Sequence, residues 1–193
     1  MLSGFSDLER SHHVADISVS LGSHASIAPV TPEELCALYA DRVCRFAAVV
    51  AGRDGDPEEI AQEALLKAIT KLDRFDPRRG SMEGWLWRIV ANTAKDATRK
   101  ARLRALLTGR LARRDSAVVD LEAVAVERLS AGELLEAIAR LSPRDRQLLG
   151  LRFVADLDTA SVGQIVGLSA ESARRAIGRA LDRLRVLVSG GLR

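Results

Sequence analysis

Cysteine and large aromatic side chains are scarce in this chain: 193 residues hold two Cys, two Trp, one Tyr and four Phe. Cys36 and Cys44 share a helical-looking segment. Helical rise sets them about 12 Å apart, which excludes a disulfide between them and predicts two buried thiols. The histidines, His12, His13 and His24, form no CxxC or HxxxH-type spacing with these thiols, so neither a metal site nor a cofactor is expected. No stretch approaches the roughly 20 uninterrupted apolar residues of a membrane helix. The opening MLSGFSDLER interleaves Asp7, Glu9 and Arg10 with apolar residues, unlike a secretory leader. A soluble, cytoplasmic protein without membrane insertion is expected. Also missing are a glycine-rich phosphate loop and a histidine beside a nucleophile or paired carboxylates, so nothing points to an enzyme. Strand-like alternation is absent throughout, which leaves an all-α class.

What is present is apolar residue in quantity, 47% of the chain, and charge in blocks. The net charge is only +3. Yet Arg88 to Arg114 carries nine basic residues against Asp96, a net of +8, and Asp115 to Glu136 carries six acids against Arg128, a net of −5. A basic block of this kind either meets nucleic acid or simply solvates a helix face.

Residues 1–30, rich in Ser, Ala, Gly and His, read as a flexible extension. At Thr31 a cap is followed by Pro32, Glu33 and Glu34, which predicts a helix to about Val50. Asp56-Pro57-Glu58-Glu59 repeats that signal for a helix to about Leu72. The loop DRFDPRRGS ends at Ser81, which caps a long helix to about Arg104. Residues 105–130 read as a flexible linker. Four further helices are expected near 131–141, 143–155, 158–166 and 170–188, giving two small helical domains, 31–104 and 131–193.

Three helix faces carry chemistry. In the second helix Ile60, Ala61, Ala64, Leu65, Ala68, Ile69 and Leu72 share a core side, while Glu59, Gln62, Glu63 and Thr70 surround Leu66 on the other. An apolar anchor with a charged rim suits a protein partner; a lone surface leucine is the plainer alternative. In the third helix Leu86, Val90, Ala94, Ala97 and Ala101 face inward with Trp87 at the margin, and Arg88, Lys95, Arg99 and Arg102 form a basic stripe. Trp85 and Asn92 run beside that stripe. Cations neutralise phosphates while an indole or amide meets an exposed base, a combination suited to single-stranded or opening DNA. Periodicity alone leaves open whether Trp85 is such a platform or a core anchor.

The third face lies in LDTASVGQIVGLSAESARRAIGRALDRLR. A short helix carrying Ala160, Val162 and Ile165 precedes Gly167-Leu168-Ser169, then a longer helix burying Ala173, Ile177, Ala180, Leu181 and Leu184. This is helix-turn-helix spacing, and it leaves Glu171, Ser172, Arg174, Arg175, Arg179 and Arg183 exposed to reach a major groove.

DPEEIAQEALLKAITKLDRFDPRRGSMEGWLWRIVANTAKD, then LSPRDRQLLGLRFVADLDTASVGQIVGLSAESARRAIGRALDRLR, together resemble a sigma-70 family sigma factor of the extracytoplasmic-function type. The resemblance covers residues 35–104 and 131–187. It implies a region 2-like domain and a region 4-like domain, and an alternative sigma factor that directs RNA polymerase core to promoters and assists melting. Glu59, Gln62, Glu63 and Leu66 then become contacts to the clamp helices of the largest polymerase subunit. Trp85, Arg88, Asn92, Lys95 and Arg99 become contacts to the −10 element, and Glu171, Ser172, Arg174, Arg175 and Arg179 contacts to the −35 element. An anti-sigma factor that masks these surfaces is a further implied partner. Glu59 stands where aspartate is commonest in the family, Ala176 where arginine is common and Arg175 where serine is frequent. The alternative reading is a helix-turn-helix regulator that is not a polymerase subunit.

Overall fold

The computed structural model describes residues 31–108 and 131–191; the N-terminal extension and most of the expected linker, with all three histidines, lie outside the described residues. Thr31 starts α1 (Pro32–Ala51) with a reciprocal cap. The Glu34 N–H donates to Thr31 Oγ1 at 3.2 Å and the Thr31 N–H to the Glu34 carboxylate at 3.0 Å. Asp56 starts α2 (Pro57–Thr70) by accepting from the Glu58 and Glu59 N–H groups at 3.0 and 3.4 Å. Two 3₁₀ turns, Leu72–Arg74 and Pro77–Arg79, form the loop. Ser81 Oγ then accepts from the Gly84 N–H at 3.1 Å and opens α3 (Met82–Thr108). Residues 105–108, expected in the linker, thus extend a helix.

The second group comprises α4 (Ala131–Ala139), α5 (Pro143–Leu149), α6 (Thr159–Val166) and α7 (Ala170–Gly191). Instead of one helix over 143–155, α5 passes into a π-helical turn, Gly150–Val154. Among the described residues there is no strand, and no helix is long and apolar enough to cross a membrane.

The two helical groups close over one continuous apolar core. α1 crosses α2 and α3, and its C-terminal half also meets α4, α5 and the π turn, while α3 reaches α5 and α6. Trp87, expected at the margin, lies at its centre with 0% exposure, its ring 5.4 Å from Phe46 in an edge-to-face arrangement. Helical projection blurs by a residue at the border of a stripe, and the neighbouring Phe46 of α1 supplies the missing wall. Leu86, Val90, Ala94, Ala97 and Ala101 are buried as the pattern predicts. The cysteines correct the sequence reading: Cys44 is exposed and Cys36 half-buried, because α1 turns Val43, Phe46, Ala47 and Val50 inward instead. On α6 Ala160 is exposed and Ile165 half-buried, and Val162 is the buried apolar anchor.

Candidate nucleic-acid and polymerase interfaces

On α2 the inward residues Ile60, Ala61, Ala64 and Ala68 are buried, which turns Leu66 outward at 65% exposure. Glu59 and Gln62 are exposed beside it. The acidic rim is partly answered by the protein's own cations. Lys67 Nζ lies 2.7 Å from Glu63, and the hydrogen bond it donates, helped by the charge of Lys100, holds the Glu63 carboxyl below the usual carboxylate range. Arg104 of α3 stands 3.9 Å from Glu59. Such exposed pairs contribute only tenths of a kcal/mol, roughly up to 1, and do not close the face. Arg104 also brings the end of α3 beside the start of α2, where Leu103, Leu106 and Leu107 are exposed. Sequence reading placed Leu106 and Leu107 in the linker and missed them; the signal was the uninterrupted helical pattern in ARLRALL.

Along α3, Arg88, Asn92, Lys95, Arg99 and Arg102 are all exposed. Three of the five residues expected at the −10 element come together: Asn92, Lys95 and Arg99, with Arg102, line one cleft of about 390 Å³. The other two lie apart from it. Trp85 is half-buried, its ring 5.6 Å from Phe75, so its packing anchors the loop that precedes α3. Arg88 is exposed and does not line the cleft.

The helix-turn-helix is built by two caps and a glycine. Asp158 accepts from the Ser161 N–H at 2.6 Å and caps α6; that bond to the charged form holds its carboxyl below the usual range. Gly167, at φ +72°, takes the left-handed turn that a side chain would strain. Ser169 Oγ accepts from the Ser172 N–H at 3.2 Å at the start of α7. Ala173, Ile177, Ala180 and Leu184 are buried, and Leu181 half-buried. Outward stand Glu171, Arg174, Arg175 and Arg179, with Ser172 half-buried. Glu171 pairs with Arg174 at 2.9 Å and with Arg175 at 3.4 Å, which holds both guanidinium groups near the N-terminal turn of α7. Asp145, buried on α5, accepts from Arg183 at 2.9 Å and fixes α7 against α5. Ala176 is buried, so a small residue suits that position here.

Two family models match the chain, Sigma-70 region 2 over residues 35–104 and Sigma-70, region 4 over residues 137–186. The chain belongs to the sigma-70 family, as an extracytoplasmic-function sigma factor. The ECF RNA polymerase sigma factor SigD of Mycobacterium tuberculosis is 34% identical over 146 residues, which cover 75% of this sigma factor and 69% of SigD. BldN of Streptomyces coelicolor, also an ECF RNA polymerase sigma factor, is 27% identical over 130 residues; they cover 67% of this chain and only 49% of BldN. Among solved structures, the sigma factor RpoE of Bartonella quintana, crystallised with the anti-sigma factor NepR, superposes with a TM-score of 0.66 at 21% identity, covering 81% of this chain and 96% of RpoE. That likeness supports the two-domain helical fold.

Proposed function

We propose that this sigma factor docks on RNA polymerase core through Glu59, Gln62, Glu63 and Leu66, and reads promoters through two DNA faces separated along the chain. The observation that carries the reading is the presence of both regions in one chain, in order. A helix-turn-helix regulator would need only α4 to α7, and would leave the exposed Leu66 and the basic face of α3 without a role. The partition into a −10-binding domain over 31–104 and a −35-binding domain over 131–193 follows the same logic. The partners are then core polymerase, with its clamp helices against α2, promoter DNA, and an anti-sigma factor of the kind seen on RpoE. Its place of work is the cytoplasm, where polymerase is.

On the −10 side, Arg88, Lys95 and Arg99 are assigned to backbone phosphates and Asn92 to an exposed base. A base held by the protein offsets the few kcal/mol, roughly, that unstacking costs, so melted DNA is favoured. Trp85 contributes by holding the loop through Phe75 and by its half-open edge. On the −35 side, the N-terminal turn of α7 presents Glu171, Ser172, Arg174 and Arg175 to the major groove, with Arg179 one turn further along for a phosphate or a guanine edge.

Run-off transcription with purified core polymerase and a library of promoter fragments tests the reading; no association with core and no specific start would end it. Asn92→Ala is expected to lower open-complex formation about tenfold while closed-duplex binding stays within about twofold, since one base contact is worth roughly 1–3 kcal/mol. Equal losses at both steps would remove Asn92 from the exposed base. Arg174→Ala is expected to weaken binding to −35 duplex about tenfold. If Arg174 serves a phosphate, the salt slope of binding drops by about one; if it reads guanine, discrimination at one base pair relaxes.

A further inference from the structure

The cleft where α3 meets α5 and α6 gathers more positive charge than its surroundings answer. Lys95, Arg99 and Arg102 line it from α3 and Arg144 lines it from α5, around a volume of about 390 Å³. No carboxylate among the described residues lines it. None of these four cations forms an ion pair with a described residue, whereas Arg174 and Arg175 share Glu171 and Arg183 has Asp145. Like charges held on facing walls repel, and more strongly where the walls exclude part of the water. A multiply charged anion between them turns that repulsion into attraction, and all four side chains are exposed, so it reaches them from solvent.

The rest of the lining suits more than a bare anion. Val50, Pro143, Ile165 and Val166 supply apolar surface. Asn92 contributes an amide that makes no hydrogen bond to a described residue. Gln147 donates from Nε2 to the Ala91 carbonyl at 3.0 Å, which leaves its own carbonyl oxygen as an acceptor beside Asn92. The two amides therefore mark one end of the cleft, and Arg99 and Arg102 lie about two and three helical turns further along α3. A cleft of about 390 Å³ falls toward the lower end of the roughly 300–1,000 Å³ of small-molecule pockets, whose usual make-up is apolar surface with a few convergent polar groups.

We propose that this cleft binds a nucleoside diphosphate, with its phosphates among Lys95, Arg99, Arg102 and Arg144 and its base on the apolar surface, polar edge toward Asn92 and Gln147. Arg102 and Arg144 were assigned to no DNA contact above, so the site does not depend on that assignment. One consequence does rest on the function proposed above: Asn92, Lys95 and Arg99 are the groups given to the −10 strand, so nucleotide and strand exclude one another.

Isothermal titration calorimetry of the full chain with ADP and with GDP is expected to show saturable binding at a single site. Arg102→Ala and Arg144→Ala, which remove exposed side chains from facing walls, are each expected to weaken it about tenfold at an unchanged melting temperature, as for a lost hydrogen bond between charged groups. Inorganic pyrophosphate, similar in charge but without the nucleoside, is expected to bind at least about tenfold more weakly than ADP. No saturable binding by either nucleotide overturns the site. A loss in Arg102→Ala that Arg144→Ala does not share puts the anion on the open face of α3 and overturns the cleft. Pyrophosphate binding as tightly as ADP overturns the nucleoside. For the consequence, ADP at about ten times its dissociation constant is expected to weaken binding of a mixed-sequence single-stranded oligonucleotide about tenfold, and only about twofold in Arg144→Ala. Oligonucleotide binding unmoved by bound ADP overturns the exclusion. Failure of the DNA assignment itself is read separately, as Asn92→Ala leaving run-off transcription unchanged.

Discussion

Leu66→Arg is expected to lower affinity for core polymerase by at least about 30-fold, the 2 kcal/mol or more typical of an anchor residue at the centre of an interface. Leu66 is 65% exposed on the middle of α2, with Gln62 exposed and Glu63 paired to Lys67 beside it. Arginine there needs no space inside the protein, so the melting temperature should move by no more than about 2 °C, as for surface substitutions within roughly ±0.5 kcal/mol. Pull-down with purified core and a thermal melt separate the two quantities. Binding within threefold of the parent would remove α2 as the docking helix. A melting temperature lowered by 10 °C would instead make Leu66 a structural residue.

Trp87→Ala is expected to produce the largest loss of stability, about 3–5 kcal/mol, from lost apolar transfer and the cavity left behind. The indole is fully enclosed, meets Phe46 edge to face, and has the Arg42 guanidinium 5.5 Å from its ring centre. A melting temperature about 10 °C lower by circular dichroism is the expected reading, with most of it regained in Trp87→Phe. A shift below 2 °C for the alanine variant would show that the core closes over the space, contrary to this account. Trp85→Ala should cost much less, since its ring is half-open and rests on Phe75.

Local chemistry made most of the fold legible in advance. Thr31, Asp56 and Ser81 each open a helix where their side chains find the amides predicted for them, and Gly167 with Ser169 places the turn of the helix-turn-helix. Caps and periodicity act over three or four residues, so sequence exposes them. Relations across the chain are less visible. That Arg146 ends against Val50, or that Gly150 meets Phe46, depends on how two helical groups face each other, and no periodicity encodes it. The one local trace was a glycine inside the helical run RQLLGLRF, where it costs about 1 kcal/mol relative to alanine unless something approaches closely. Projection also treats each helix as isolated: it put Trp87 at a margin because it knew nothing of Phe46, and buried Cys44 because it could not rank the sides of α1. Among the site residues, exposure was read well for Leu66, Asn92 and the arginines of α7, while the split of Trp85 and Arg88 from the cleft depends on the opposing wall.

The fit of Gly150 against Phe46 also bears on how this molecule unfolds. A Cβ at Gly150 would stand 2.9 Å from the Phe46 ring, and the buried residues of both helical groups form one continuous cluster. A core shared in this way leaves neither group a separate interior, so heat is expected to melt both in one cooperative transition.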